Sequence, residues 1–195
     1  MNEERIKKEL VDVMRRLYEK GLISSKSGNA SCRIPGSSEI IITPSGGFKW
    51  RLSEDELVKI DFNGSKVWGY REPSSEWRTH LMIYKKRMDV NAVVHAHNPI
   101  TIALTLSGVE LSPLTDEARL TLGDIKVVPH APPGTEELAR LVAKSLENKK
   151  TNVLILEKHG VLGLGRDLAD AVNVVEVLED VARMTLIRTL IRSMD

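Results

Sequence analysis

The run Val93-Val94-His95-Ala96-His97-Asn98-Pro99 sets two histidines one residue apart, directly after a β-branched pair. In an extended strand, side chains two positions apart leave the same face, so His95 and His97 point together. Two imidazoles so placed can chelate a divalent cation. Zinc accepts imidazole nitrogen at about 2 Å, and a catalytic site usually takes three protein ligands and leaves one position open. Two rings facing a polar layer and bonding to backbone groups would give the same spacing, and a third ligand is what would separate the two readings. His159, in EKHGVLGLG, ends an apolar run just before a glycine, where a sharp turn can present a side chain. His130 precedes APPG and reads as an ordinary loop residue. His80 shares a predicted helix face with Glu76, four residues earlier, without the H-E-x-x-H spacing of zinc proteases, and reads as packed or as supporting the site.

Glu76 follows Pro73-Ser74-Ser75 at the start of a predicted helix. A carboxylate there is favoured by the helix dipole alone. Its neighbours add a second reading, because two hydroxyls and unpaired backbone N–H groups at a helix start are suited to hold a phosphate. Ser27-Gly28-Asn29 and Thr43-Pro44-Ser45-Gly46-Gly47 contribute further small, hydroxyl-bearing and glycine positions. Each is an unremarkable turn by itself; together with the histidines they suggest a metal site beside an oxyanion site.

The elements that must position these residues follow from periodicity. Ile6, Leu10, Val13 and Leu17 recur at helical spacing before Gly21, which predicts an amphipathic first helix with a left-handed cap. EIIITPSGG reads as a strand ending in a turn, and Ser53 and Glu56 are spaced as a capping box on a short helix. LVKIDFNGSKVWG is a hairpin signal with a two-residue Asn63-Gly64 turn. The helix in PSSEWRTHLMIYKKR should be capped by Ser74 or Ser75 and turn Trp77, Leu81 and Tyr84 inward. NAVVHAH is a strand, and PITIALTLSG a helix that begins with proline and stops at Gly108. DIKVVP and NVLILEKHGVLGLG are core strands flanking a helix capped by Thr135, and a long helix begins after Asp167. Hairpins make the order unlike a βαβ succession, so the predicted fold is α/β, a three-layer α/β/α sandwich around a mixed, mainly antiparallel sheet, in one domain over residues 1–195.

Composition excludes several classes of partner. The 195 residues are 42% hydrophobic, and 28 Lys plus Arg against 27 Asp plus Glu leave a net charge of +1, which is not a surface for tracking nucleic acid. MNEERIKKEL reads as a charged amphipathic helix rather than a signal peptide, and no apolar run is long enough to span a bilayer. The single cysteine, Cys32, cannot pair internally; it reads as a small buried hydrophobe in a reducing, cytoplasmic setting.

The ordered series SGNAS, ITPSG, PSSEWRTHLMIY, NAVVHAHNP, GTEELA and EKHGVLGLG resembles the class II aldolase and adducin family across essentially the whole chain. The resemblance implies that His95, His97 and His159 are zinc ligands, with Co2+ or Mn2+ as alternatives. Glu76 would be the acid/base that can also touch the resting metal, and Gly28, Asn29, Ser45, Gly46, Ser74 and Ser75 would hold the substrate phosphate. It implies cleavage of a ketose 1-phosphate, such as L-fuculose 1-phosphate, into dihydroxyacetone phosphate and a short aldehyde, in a homotetramer with active sites at subunit contacts. The family's aldehyde-protonating tyrosine, which the neighbouring subunit contributes, is missing from LSPLTDEARL, where Asp116 or Glu117 could substitute for it. The same scaffold serves epimerases, a methylthioribulose-1-phosphate dehydratase, sugar-acid phosphate decarboxylases and non-catalytic adducin-like domains; Glu76 and the lack of a late tyrosine favour the aldolase over the epimerases, the histidines argue against an adducin-like domain, and the dehydratase, which keeps a glutamate, stays as the alternative.

Overall fold

A computed structural model describes residues 2–194. Helix α1 (Glu3–Glu19) is capped by the Asn2 side chain, which accepts from the Arg5 N–H, and it buries Ile6, Leu10, Val13 and Leu17 as one stripe. Gly21 follows with φ 69°. Strands β1 (Asn29–Arg33), β2 (Glu39–Ile42), β3 (Val58–Asp61) and β4 (Lys66–Trp68) form an antiparallel run. Between β2 and β3, the Ser53 and Glu56 capping box is present on a single turn of helix.

The β3–β4 connection differs from the predicted two-residue turn. Four residues, 62–65, lie between the strands, and only Gly64 takes a positive φ, 88°. The Asp61 carboxylate accepts from the Asn63 and Ser65 N–H groups at 2.9 and 2.8 Å, so a side chain organises the wider loop in place of paired left-handed residues.

Helix α2 (Trp77–Lys86) leads into β5 (Ala92–Ala96), and α3 (Pro99–Leu106) starts with proline and ends at a left-handed Gly108. Helix α4 (Asp116–Leu122), absent from the sequence expectations, is one short element capped by Thr115. Then come β6 (Ile125–Val128), α5 (Glu136–Ser145, capped by Thr135), β7 (Val153–Leu156), β8 (Gly160–Gly165) and α6 (Leu168–Arg192, capped by Asp167).

The eight strands make one sheet in the order β4-β3-β2-β1-β5-β8-β7-β6, antiparallel except for the β6–β7 pair, which α5 connects as a crossover. Alternation along the strands feeds two cores. Ala30, Cys32, Ala92 and Val94 face α1, α3, α4 and α6, whereas Ile40, Ile60, Val93 and Leu154 face α2 and α5. This is the expected three-layer α/β/α arrangement. Every residue of β5 is buried, and each fully buried Val, Leu or Ile contributes about 1.5–3 kcal/mol, so β5 and its neighbours form the most firmly held part of the sheet. No helix among the described residues is long and apolar enough to cross a membrane.

Candidate metal centre and active site

β5 ends at Ala96, and His95 and His97 project from its end on the side that carries α2. β1 and β8 flank β5, placing Asn29 and Leu162 opposite His95. His159 comes from the turn joining β7 to β8. There Lys158 adopts φ 60°, the one described non-glycine residue with a positive φ, and the His159 N–H closes the turn on the Leu156 carbonyl at 3.0 Å. A non-glycine residue in this region is unfavourable by about 1–2 kcal/mol. Such strain persists where surrounding packing fixes it, often beside functional groups.

The three imidazoles converge. One ring nitrogen from each lies within 4.8 Å of the others, and the His95 and His97 Nε2 atoms are 3.0 Å apart. Two nitrogens bound to one tetrahedral ion would stand about 3.3 Å apart, so the donor set fits a single cation with little adjustment. His95 Nδ1–H donates to the Val161 carbonyl at 2.9 Å, which leaves the Nε2 lone pair facing the cluster. His159 Nδ1 is buried without a partner. Burial, reinforced by the neighbouring imidazoles, pulls His97 and His159 down to about 4. Both are neutral at pH 7, the form that ligates metal.

Gly160 makes this packing possible. A Cβ there would lie 2.4 Å from the Ala96 carbonyl oxygen, 2.9 Å from His97 Cδ2 and 3.0 Å from His95 Cε1. The His-Gly pair is thus one unit: the histidine donates the ring and the glycine leaves room for the other two.

Glu76 completes the cluster, with its Oε2 3.2 Å from His95 Nε2 and its Oε1 3.5 Å from His159 Nε2. Contrary to the expected Ser74 or Ser75, the N-cap of α2 is Glu76 itself, and it makes no side-chain cap bond. Its carboxylate is engaged elsewhere, by the histidines and by Asn29 Nδ2, which donates to Oε2 at 2.7 Å. Ser74 Oγ instead accepts from the Glu76 N–H. Burial pushes the Glu76 carboxyl up, but the electrostatic influence of the His95 ring, the hydrogen bond from the Asn29 N–H and the influence of the His159 and His80 rings outweigh it, leaving the group below its ordinary value and ionised at neutral pH.

The loops expected to hold phosphate meet at this point. Gly28, Asn29, Ser45, Gly46, Ser74 and Ser75 line one cleft of about 190 Å3 together with Glu76, His97 and His159. Two backbone bonds stitch the loops together, Ser45 N–H to the Glu72 carbonyl and Ser74 N–H to the Thr43 carbonyl, at 2.9 and 3.0 Å. The cleft has two lysines that sequence reasoning passed over, Lys26 and Lys49. Lys49 is only 2% exposed, and its Nζ donates to the Pro44 and Gly46 carbonyls at 2.8 and 2.9 Å. Burial lowers it to about 8. No local pattern marks it, since its partners depend on how the glycine-rich turn folds back. Asp116 and Glu117, in the segment from which a neighbouring subunit would reach the cleft, open α4 as exposed residues. His130 is exposed, whereas His80 is fully buried beneath the site.

Residues 8–186 match the family described as Class II Aldolase and Adducin N-terminal domain. The chain is 37% identical to the L-fuculose phosphate aldolase of Methanocaldococcus jannaschii over 186 residues, covering 95% of this chain and 98% of that protein. It is 35% identical over 175 residues to the 5-methylthioribulose-1-phosphate/5-deoxyribulose-1-phosphate aldolase of Rhodospirillum rubrum, covering 89% of this chain and 76% of that one. A solved L-fuculose 1-phosphate aldolase superposes with a TM-score of 0.89 at 33% identity, over 98% of this chain and 89% of the other. With three imidazoles and a carboxylate gathered over a glycine- and serine-lined cleft, the chain belongs to the class II aldolase and adducin family, as an enzyme of the aldolase type.

Proposed function

We propose that this enzyme reversibly cleaves a ketose 1-phosphate, such as L-fuculose 1-phosphate, into dihydroxyacetone phosphate and a short aldehyde, using Zn2+ or a similar divalent ion held by His95, His97 and His159. The observation that carries this reading is the convergence of His159 with the His95–His97 pair, with Glu76 within 3.2 and 3.5 Å of two of the rings. A cation bound there would supply Lewis-acid stabilisation for the negative charge left on the triose phosphate when C3–C4 breaks.

The chain's own groups account for the rest. Ser45, Gly46, Ser74 and Ser75, with the second N–H of Asn29 Nδ2, are assigned to the phosphate, and the Lys49 ammonium adds a positive charge beneath their turn. Glu76, ionised, takes the C3 proton of dihydroxyacetone phosphate in the condensing direction. A Schiff-base lysine is unnecessary, and Lys49 is tied to two carbonyls. The assignment extends to a cytoplasmic homotetramer, which sedimentation of the purified enzyme tests.

The deciding experiment is a panel of 1-phosphorylated ketoses, including 5-deoxyribulose and 5-methylthioribulose phosphates, assayed for triose phosphate release. Release requires C–C cleavage, whereas an epimerase or dehydratase converts the same compounds without it. Glu76→Gln should retain metal and lose proton exchange at C3; His97→Ala should lose the metal. Unchanged exchange in the first or stoichiometric metal in the second overturns these roles. Borohydride with dihydroxyacetone phosphate should trap nothing, and a reduced adduct on Lys49 would replace metal catalysis with a Schiff base.

A further inference from the structure

Helix α2 lies along β1 with the two elements in step. Four helical residues advance about 6 Å and two strand residues about 6.6 Å, so positions four apart on α2 match positions two apart on β1. Glu76, His80 and Tyr84 accordingly meet Asn29, Ser31 and Arg33 in order. Asn29 Nδ2 donates to Glu76 Oε2 at 2.7 Å, and Asn29 Oδ1 lies 2.6 Å from His80 Nε2. Ser31 Oγ lies 2.7 Å from His80 Nδ1 and 2.8 Å from the Tyr84 hydroxyl, which also donates to the Ser31 carbonyl at 3.0 Å. Arg33 Nη2 closes the series on the Tyr84 carbonyl at 2.7 Å. His80 and Tyr84 are fully buried.

Hydrogen-bond logic fixes the direction of this ladder. An ionised carboxylate only accepts, so Asn29 must turn its NH2 to Glu76 and its oxygen to His80. His80 must then carry its proton on Nε2, and its bare Nδ1 accepts from the Ser31 hydroxyl. Every side-chain donor from Ser31 onward points toward Glu76. Desolvation holds His80 down at about 3, so it keeps this single N–H throughout the neutral range.

We propose that His80 is a positioning residue for Glu76: its Nε2–H locks the Asn29 amide in the orientation that presents the carboxylate to His95 and His159. The functional consequence rests on the assignment of Glu76 as the proton acceptor at C3, whereas the ladder itself does not. Without the His80 donor, the buried Asn29 Oδ1 loses its hydrogen-bond partner, and the Glu76 contact alone no longer holds the amide in place. The amide can then swing and carry the carboxylate away from the histidines.

Nitrogen-15 NMR of the imidazoles in the full-length protein tests the ladder directly. A neutral Nε2–H tautomer for His80 at pH 7 is expected, and an Nδ1–H tautomer overturns the proposal. The functional arm compares His80→Leu, which lacks a donor, with His80→Gln, whose amide can place an N–H where Nε2–H was. The leucine variant should exchange the C3 proton of dihydroxyacetone phosphate about 100-fold more slowly, the scale of a misplaced catalytic group, with KM and metal content unchanged. Glutamine should restore most of the rate. Exchange at the wild-type rate in the leucine variant, or a glutamine variant no faster than leucine, overturns the positioning role. If leucine prevents folding, His80→Asn, which retains a partner for Ser31 but not for Asn29, takes its place. A wild-type enzyme that exchanges no C3 proton would refute the aldolase assignment instead, and the tautomer spectrum would still decide the ladder.

Discussion

Replacing Gly160 by alanine is a one-carbon test of the way the metal centre is packed. The new Cβ would sit 2.4 Å from the Ala96 oxygen, about 1 Å inside ordinary contact, and 2.9 and 3.0 Å from carbons of the His97 and His95 rings. The carbonyl cannot retreat, because Ala96 pairs with Val161 in the middle of the sheet. The rings must therefore take up much of the displacement. Overpacking of this kind is unfavourable by about 1–3 kcal/mol. For a chain of this size each kcal/mol lowers Tm by about 2–4 °C, giving roughly 2–12 °C in all. Metal binding should suffer separately, since disturbing the groups that orient ligands weakens affinity by about 10–100-fold. Gly108→Ala is the control: it meets nothing within 4 Å but has φ 76°, so it incurs backbone strain far from the centre. Calorimetry and competitive zinc titration on both variants separate the two effects. Both should lose stability, and only Gly160→Ala should lose affinity. Wild-type zinc affinity in a folded Gly160→Ala protein would show that the rings do not depend on this missing Cβ.

Lys49 is lowered to about 8 by burial, so its ammonium is charged below that pH and neutral above it. KM for a phosphorylated substrate should rise as pH passes 8 while kcat changes less, and Lys49→Arg, which stays charged, should flatten the rise; identical pH profiles would exclude the charge from substrate binding. On the opposite face of the sheet, the buried Glu179 carboxylate accepts from the Ile100 and Thr101 N–H groups and the Thr101 hydroxyl at the start of α3. Glu179→Ala should destabilise by about 3 kcal/mol, with Glu179→Gln losing less, as read from urea midpoints; equal losses would mean that packing rather than acceptance dominates. Cys32 is fully buried and its thiol is pushed up to about 12 by desolvation, so a thiol reagent at pH 8 should label it only at the rate of unfolding. Rapid labelling of native protein would contradict its placement.

Local rules carried much of the architecture. Asp167 and Thr135 cap the helices they precede, Ile6 to Leu17 bury the stripe their spacing implies, and His95 and His97 share a side because strand alternation requires it. His159 could be chosen because a histidine before glycine at a strand end has a turn to present it. Features decided by distant partners were not legible. The cap of α2 went to Glu76 because Asn29, 47 residues away, and the histidines hold its carboxylate. Helix α4 is too short to show periodicity, and its inward residues, Ala118 and Leu122, bury in a core shared with α6. Lys49 has only exposed-residue chemistry in the sequence; burial and two carbonyls give it another character. The step-for-step match of α2 with β1 arises from two periodicities that become related only after the sheet has formed.

The placement of the histidines on β5 and on the β7–β8 turn means that an ion held there would also act as a clasp, tying together stretches of backbone roughly 60 residues apart in the chain. An unfolded polypeptide offers no such ready-made clasp, so ligation and folding reinforce each other: free zinc at 100 times its dissociation constant would add about 2.7 kcal/mol to the unfolding free energy. A chelator would thus loosen the middle of the sheet as well as silence the enzyme.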